Sequence, residues 1–237
     1  MRNWLFATML ALAATPSLAA DPAVTRGPLP EISGDAALIE YTVAGAKWSG
    51  CYAGAELGGV AGVNRIAFGP VDYAAIVYDG LAIGILGGCD WQPAGSRFVI
   101  GIQGDYLYTA ASGESNFGFF SLEAGPNWQG SLAARGGYLI NPETLAYVGA
   151  GWAWQGHDAT VYCCGGAFGF SDGFSGPMVL AGVEMALSQN LFLRGEGRAM
   201  FYGSENYAGT PVVVDNKEIA FLIGLTYRFA GLPFVGN

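Results

Sequence analysis

Between Lys217 and Phe229 apolar and polar positions alternate at strict period two. Ile219, Phe221, Ile223, Leu225, Tyr227 and Phe229 share one face, and Ala220, Gly224, Thr226 and Arg228 share the other. An apolar face of six positions that ends in two aromatics fits a strand meeting lipid, with the aromatics at headgroup level. From Trp48 onward the chain divides into segments of this kind, at 48–59, 79–91, 97–109, 128–140, 145–157, 176–187, 191–202 and 218–229. Twelve residues at about 3.3 Å each, tilted by about 45°, cover roughly 28 Å, close to the apolar band of a bilayer. The links alternate in length: Gln92 to Ser96, Asn141 to Thr144 and Ser188 to Asn190 are short, whereas 60–78, 110–127, 158–175 and 203–217 are long. An even number of strands, with short turns on one rim and long loops on the other, predicts an all-β fold: an eight-stranded antiparallel transmembrane β-barrel. The long loops then face outward from the cell and carry any recognition.

The ends of the chain read differently. Arg2, the apolar run Trp4 to Ala14 and the small residues Ser17-Leu18-Ala19 predict a cleaved signal peptide over 1–20. Residues 21–47 hold Pro22, Pro28 and Pro30 among Asp21, Glu31, Asp35 and Glu40, with no sustained period. They predict a disordered periplasmic lead-in, mostly irregular. The barrel is expected over 48–229 and a short C-terminal tail over 230–237.

Composition narrows the class. After the leader no run of eighteen apolar residues remains, which argues against a helical membrane protein. Hydrophobic residues make up 52% and charged residues 12%, with 38 glycines. A water-facing surface wants about 25–35% charged residues, so these proportions suit a barrel set in lipid. The net charge of −9, without a basic run, makes nucleic acid an unsuitable partner.

The stretch Trp48-Ser49-Gly50-Cys51-Tyr52-Ala53-Gly54 resembles the opening strand of the small opacity-type, porin-like outer-membrane proteins of alphaproteobacteria. The likeness continues through Gly101 to Tyr106, Trp128 to Tyr138, Thr144 to Trp154, Ala181 to Glu184 and Gly224 to Phe229. It spans nearly all of the chain after the leader, in order. The resemblance implies residence in the bacterial outer membrane and a role in the envelope, whether structural, porin-like or surface-antigenic. Gly224-x-x-Tyr227-x-Phe229 also resembles the C-terminal signal read by the barrel assembly machinery. Two departures stand out. Ala230 to Asn237 follow the last aromatic, and Cys51 and Cys89 occupy positions where the family more often has aromatic residues.

Chemistry concentrates on the inward faces. Arg194, Glu196 and Arg198 alternate with glycines and point one way, and a tight turn at Ser188 to Asn190 places Glu184 across from Arg194. Glu56, Gln103, Asp105, Arg135 and Arg228 are expected to join them in a lumen charge network that fills a small barrel. The competing reading is a narrow, charged solute path. Cys51 and Cys89 fall at one level and on one face, either as a cross-strand disulfide or as two small lipid-facing hydrophobes. The adjacent Cys163 and Cys164 are expected to oxidise within a loop, and no zinc-type spacing accompanies them.

The sole histidine, His157, is expected to point inward as a hydrogen-bonder at the outer rim. No nucleophile-elbow motif is present, so no catalytic residue, cofactor or metal is assigned. Trp48, Trp91, Trp128, Trp152, Trp154, Tyr106, Tyr108 and Tyr138 form the expected interfacial girdle. Phe117, Phe119, Phe120, Phe168, Phe170 and Phe174 mark the long loops as a candidate adhesive surface. The leading expectation is a non-enzymatic barrel that supports envelope integrity and displays surface loops. The alternatives are a small-solute porin and a surface adhesin or antigen. Expected partners are outer-membrane lipid, the assembly machinery, and the cell wall or a host surface.

Overall fold

A computed structural model describes residues 48–68, 71–116, 118, 120–206 and 212–229. The leader, the lead-in and the tail predicted over 1–20, 21–47 and 230–237 lie outside these residues, as do Phe117 and Phe119. Eight strands follow in order: β1 Gly50–Phe68, β2 Val71–Trp91, β3 Phe98–Asn116, β4 Phe120–Asn141, β5 Thr144–Cys163, β6 Gly166–Ala186, β7 Leu191–Asn206 and β8 Val212–Arg228. Each pairs antiparallel with the next, and β1 pairs with β8 to close the barrel, with Tyr52 opposite Arg228. Closure leaves no unpaired edge, which lipid would not tolerate.

The period-two pattern maps onto the wall. In β8 Ile219, Phe221, Ile223, Leu225 and Tyr227 are exposed on the outer face, whereas Ala220, Leu222, Thr226 and Arg228 are buried in the interior. In β2 Leu81, Ile83 and Ile85 face out, and Ala82, Leu86 and Asp90 face in. The interior is packed: Tyr78, Leu107, Tyr147, Leu180, Phe192, Met200 and Tyr202 belong to one buried cluster.

The turns near Gly95, Pro142 and Gln189 join strands close to their predicted ends, but the opposite ends run far beyond them. Pairing continues to Phe68↔Val71, Asn116↔Ser121, Cys163↔Gly166 and Asn206↔Val213. The stretches expected as four long loops are therefore mostly β-hairpin. The reason is physical: beyond the membrane neither face must be apolar, so the hydrophobic alternation fades while the backbone still gains from its ladder. Cys164 (φ 56) and Gly165 (φ 76) form a two-residue connection of the type that needs positive φ at both central positions.

A charge placed on the lipid face should be costly and one on a hairpin extension should not. Ile223→Arg is expected to destabilise the barrel by about 2–4 kcal/mol in unfolding from lipid vesicles. Tyr162→Arg, on the β5 extension, is expected to stay within about 0.5 kcal/mol.

Candidate functional site

The lumen holds its ionic groups in layers. Nearest the short-turn rim, Arg135 from β4 bonds the Asp90 carboxylate through both Nε (2.9 Å) and Nη2, and Glu184 Oε2 through Nη1 at 3.1 Å. Arg228 from β8 places Nη2 2.8 Å from both Asp90 Oδ2 and Glu184 Oε1. Its Nη1 donates to the Trp48 carbonyl at 2.8 Å. Asp90 and Glu184 belong to β2 and β6, so this layer draws on the four even-numbered strands. Aromatic faces complete the shell of the cations. Arg135 lies between Tyr52 (5.0 Å) and Tyr147 (4.9 Å), and Arg228 contacts Trp48 (5.3 Å), Tyr52 (5.1 Å) and Phe192 (4.7 Å).

The next layer draws its charged groups from the odd-numbered strands. Glu196 accepts from Arg194, from Arg198 Nε at 2.5 Å, from Tyr147 at 2.7 Å and from Gln103 Nε2 at 3.1 Å. Arg194 Nη2 also donates to Gln103 Oε1 at 3.1 Å. Arg198 reaches past β8 to Glu56 Oε1 at 3.1 Å. Its Nη1 sits 3.0 Å from Asp105 Oδ1, an ion-pair contact without hydrogen-bond alignment. Ser131 donates to the other Asp105 oxygen at 2.5 Å.

A third, mostly neutral layer lies toward the hairpins. The Glu218 carboxylate accepts from Gln129 (2.5 Å), Tyr78 (2.7 Å) and Gln155 (2.8 Å). Asn216 donates to Asn64 at 2.6 Å, and the Asn64 amide nitrogen lies 3.1 Å from His157 Nε2. His157 thus points inward, 4% exposed, with Tyr78 and Phe174 edge-on to its ring. Its environment is amide and aromatic.

All nine residues singled out for the lumen face the interior, and each takes part in these layers. Register places Glu184 opposite Arg194, but its carboxylate bonds Arg135 and Arg228 instead. Arginine side chains are long enough to cross the barrel, so partners are set by reach and stacking rather than by strand adjacency. Asp90, Tyr147 and the Glu218 layer escaped the sequence reading. Asp90 was findable, because it stands between Cys89 and Trp91 on the opposite parity. Asn64 and Asn216 lie in stretches read as loops.

Two aromatic assignments are corrected. Trp48 is buried beneath Arg228, with its indole N–H bonded to the Pro142 carbonyl at 3.0 Å, because it precedes the first strand and folds across the lumen mouth. Phe174 is 3% exposed and belongs to the core, since β6 already runs through it. Trp91, Trp128, Trp152, Trp154, Tyr106, Tyr108 and Tyr138 do face outward, and Phe168 and Phe170 are exposed on the β6 extension. Cys51 and Cys89 are directly opposed and disulfide-bonded on the outer wall; Cys163 and Cys164 are free at a hairpin tip. Tyr227 and Phe229 stack edge to face on the outer wall at 5.6 Å. Gly224 faces Arg194, whose Cγ would lie 3.0 Å from a Cβ there, so its bareness makes room for that side chain.

A closed ring of eight antiparallel strands, apolar outside and charge-filled within, defines a transmembrane β-barrel. Residues 6–229 match the outer membrane protein β-barrel domain family, and the chain belongs to it. The chain is 31% identical over 185 residues to the 25 kDa outer-membrane immunogenic protein of Brucella melitensis, which covers 77% of this chain and 80% of that relative. With the Brucella abortus protein of the same description it is 32% identical over 187 residues, with the same shares. Among solved structures it is similar to Neisserial surface protein A (16% identity, 76% of this chain and 98% of that one, TM-score 0.46). It is also similar to Ail, the attachment invasion locus protein of Yersinia pestis (14% identity, 76% and 99%, TM-score 0.40). The protein resides in the bacterial outer membrane.

Breaking the first layer should unsettle the whole barrel. Arg135→Leu strips two buried carboxylates of a shared cation and is expected to cost about 3–5 kcal/mol in urea unfolding from vesicles. Lys217→Ala, at an exposed 3.7 Å contact with Asp215, is expected to cost less than about 1 kcal/mol. Thiol counting of the unfolded chain should find two reactive cysteines without reductant and four with it.

Proposed function

We propose that the protein is a non-enzymatic structural barrel of the outer membrane, closed along its axis, which stiffens the envelope and displays four extended hairpins outside the cell. The observation that carries this reading is the lumen: Arg198 meets Asp105, Gln103 meets Glu196 and Gln129 meets Glu218 across opposite walls, and Trp48 lies across one mouth. Such cross-links oppose deformation of the wall and occupy the space a solute would use. The hairpins supply surface: their strands stay paired well past the outward Tyr108, Trp128 and Trp154. The Brucella relatives are named as immunogenic proteins, which favours an antigenic surface here as well. His157, bonded to an amide and flanked by aromatics, has no nucleophile to activate in the described site.

In this reading outer-membrane lipid is the constant partner, and Gly224, Tyr227 and Phe229 present the last strand to the assembly machinery. The hairpins face the host, and the periplasmic side, with its short turns, faces the cell wall. The test is to replace 159–170 with Asn-Gly, which closes the β5–β6 pair early. The trimmed protein should keep its heat-modifiable mobility on gels, and antibodies affinity-purified on the 159–170 hairpin from serum against the folded full chain should lose their binding to intact cells. Undiminished binding by the trimmed, folded barrel would contradict display by this hairpin.

A further inference from the structure

Toward the hairpin tips the barrel wall divides in two. β1 stays paired with β2 to Phe68↔Val71 and with β8 to Phe68↔Val212, and β7 stays paired with β8 to Asn206↔Val213. β3, β4, β5 and β6 likewise pair in turn out to their tips. The ladders between the two sets stop short, at Asp79↔Ser112 between β2 and β3 and at Met178↔Met200 between β6 and β7. The extension is therefore two four-stranded sheets, and β6 runs furthest along its open edge. The Met178↔Met200 register carried outward sets Asn206, the last residue of β7, opposite Asp172, so residues 166–171 project past it.

The direction of the free backbone groups follows from the hairpin turn. Cys163 and Gly166 flank a two-residue connection, and the residues flanking such a turn bond each other. Even-numbered residues of β6 then turn N–H and C=O to β5, whereas Ala167, Gly169 and Ser171 turn theirs to the open side. Gly173 agrees with this alternation: its N–H donates to the side chain of Asp172, Oδ1, at 2.8 Å. Residues 166–171 carry none of the charges, prolines or bulges that usually blunt an exposed edge. Phe168 and Phe170, 56% and 49% exposed, lie on the face that continues to the buried Phe174. The other face holds the small side chains of Ala167, Gly169 and Ser171, with Asp158 bonded to Ser171 at 2.8 Å. Stretches 109–127 and 156–177, which build this sheet, contain Glu114, Glu123, Asp158 and Asp172 and no lysine or arginine.

We propose that the open edge of β6 at residues 166–171 is a docking site for an extended, basic segment of a partner protein, which adds a strand to the sheet. Backbone donors and acceptors at ladder spacing are complemented by another strand, and contacts to its alternate side chains set its sequence. Apolar side chains of the incoming strand pack on Phe168 and Phe170, while lysines or arginines on its other face meet Asp158 and the acidic sheet behind it. This docking rests on the β5–β6 hairpin being displayed outside the cell, yet peptide binding to the purified barrel and antibody binding to cells are separate readouts, so either can fail alone.

The test follows the fluorescence anisotropy of a fluorescein-labelled peptide of alternating lysine and valine, titrated with the folded full-length barrel in neutral detergent. Saturable binding is expected, weakening as salt is raised. Two further peptides carry N-methyl groups on the backbone of every lysine or of every valine. One of them should lose binding and the other keep it, because only alternate N–H groups meet the edge. Gly169→Pro takes an N–H from an edge position where proline is tolerated, and should weaken binding roughly tenfold or more. Gly169→Ala, whose Cβ meets open space, should bind as wild type, and Phe168→Ser with Phe170→Ser should weaken binding. Heat-modifiable gel mobility establishes that each variant is folded. The proposal fails if the folded wild type gives no saturable binding, if both methylated peptides or neither lose it, or if folded Gly169→Pro binds as tightly as wild type.

Discussion

Every backbone N–H and C=O in the hydrocarbon layer must find its partner inside the protein, and a sheet meets that demand only by closing. Closure fixes much else. It turns one face of each strand to lipid, which accounts for the unbroken apolar series from Ile219 to Phe229. It turns the other face to a lumen narrow enough for side chains from opposite walls to meet. Any charge placed there must be answered by another side chain. The ionic layers follow from the closed wall: Arg135, Arg194, Arg198 and Arg228 are each buried, and each finds a carboxylate across or along the lumen.

The two ionic layers alternate with strand parity. Asp90, Arg135, Glu184 and Arg228 come from β2, β4, β6 and β8; Glu56, Gln103, Asp105, Tyr147, Arg194, Glu196 and Arg198 come from β1, β3, β5 and β7. Neighbouring strands are staggered in a tilted barrel, so at any one height alternate strands point inward. Each ionic layer therefore ties together walls that share no ladder bond. Arg135 links β4 to β2 and β6, and Arg198 links β7 to β1 and β3. The cross-links give a small barrel stiffness that its ladder alone does not supply, and they connect the fold to its role in the envelope.

Much of this was legible from alternation alone. The short-turn ends of the strands, the lipid face of β8 and the inward parity of Arg194, Glu196 and Arg198 all follow from period two and turn residues. The hairpin extensions were not legible, because stretches such as 158–175 have water on their outer face and carry Gly, Ser and Asp that read as loop. Their burial ran against that reading too: Phe174 looked like loop and lies in the core. The lumen pairings were only half legible. Parity tells which side chains enter the lumen, but Glu184 bonds Arg135 and Arg228 rather than Arg194 across the ladder. That choice depends on reach and aromatic stacking in three dimensions. Trp48 shows the same limit from the other side, since an aromatic at a strand end suits the headgroups or a lumen mouth equally well.

The central claim is that the side-chain layers close the lumen. The most direct test records conductance in a planar bilayer for the wild-type barrel and for Arg198→Ala, each first shown to be folded. The account predicts silence from the wild type and measurable openings from the variant, in which Glu56, Asp105 and Glu196 lose the arginine they share. Steady, ion-selective steps from the wild type would contradict it and make the charged lumen a pathway for small solutes.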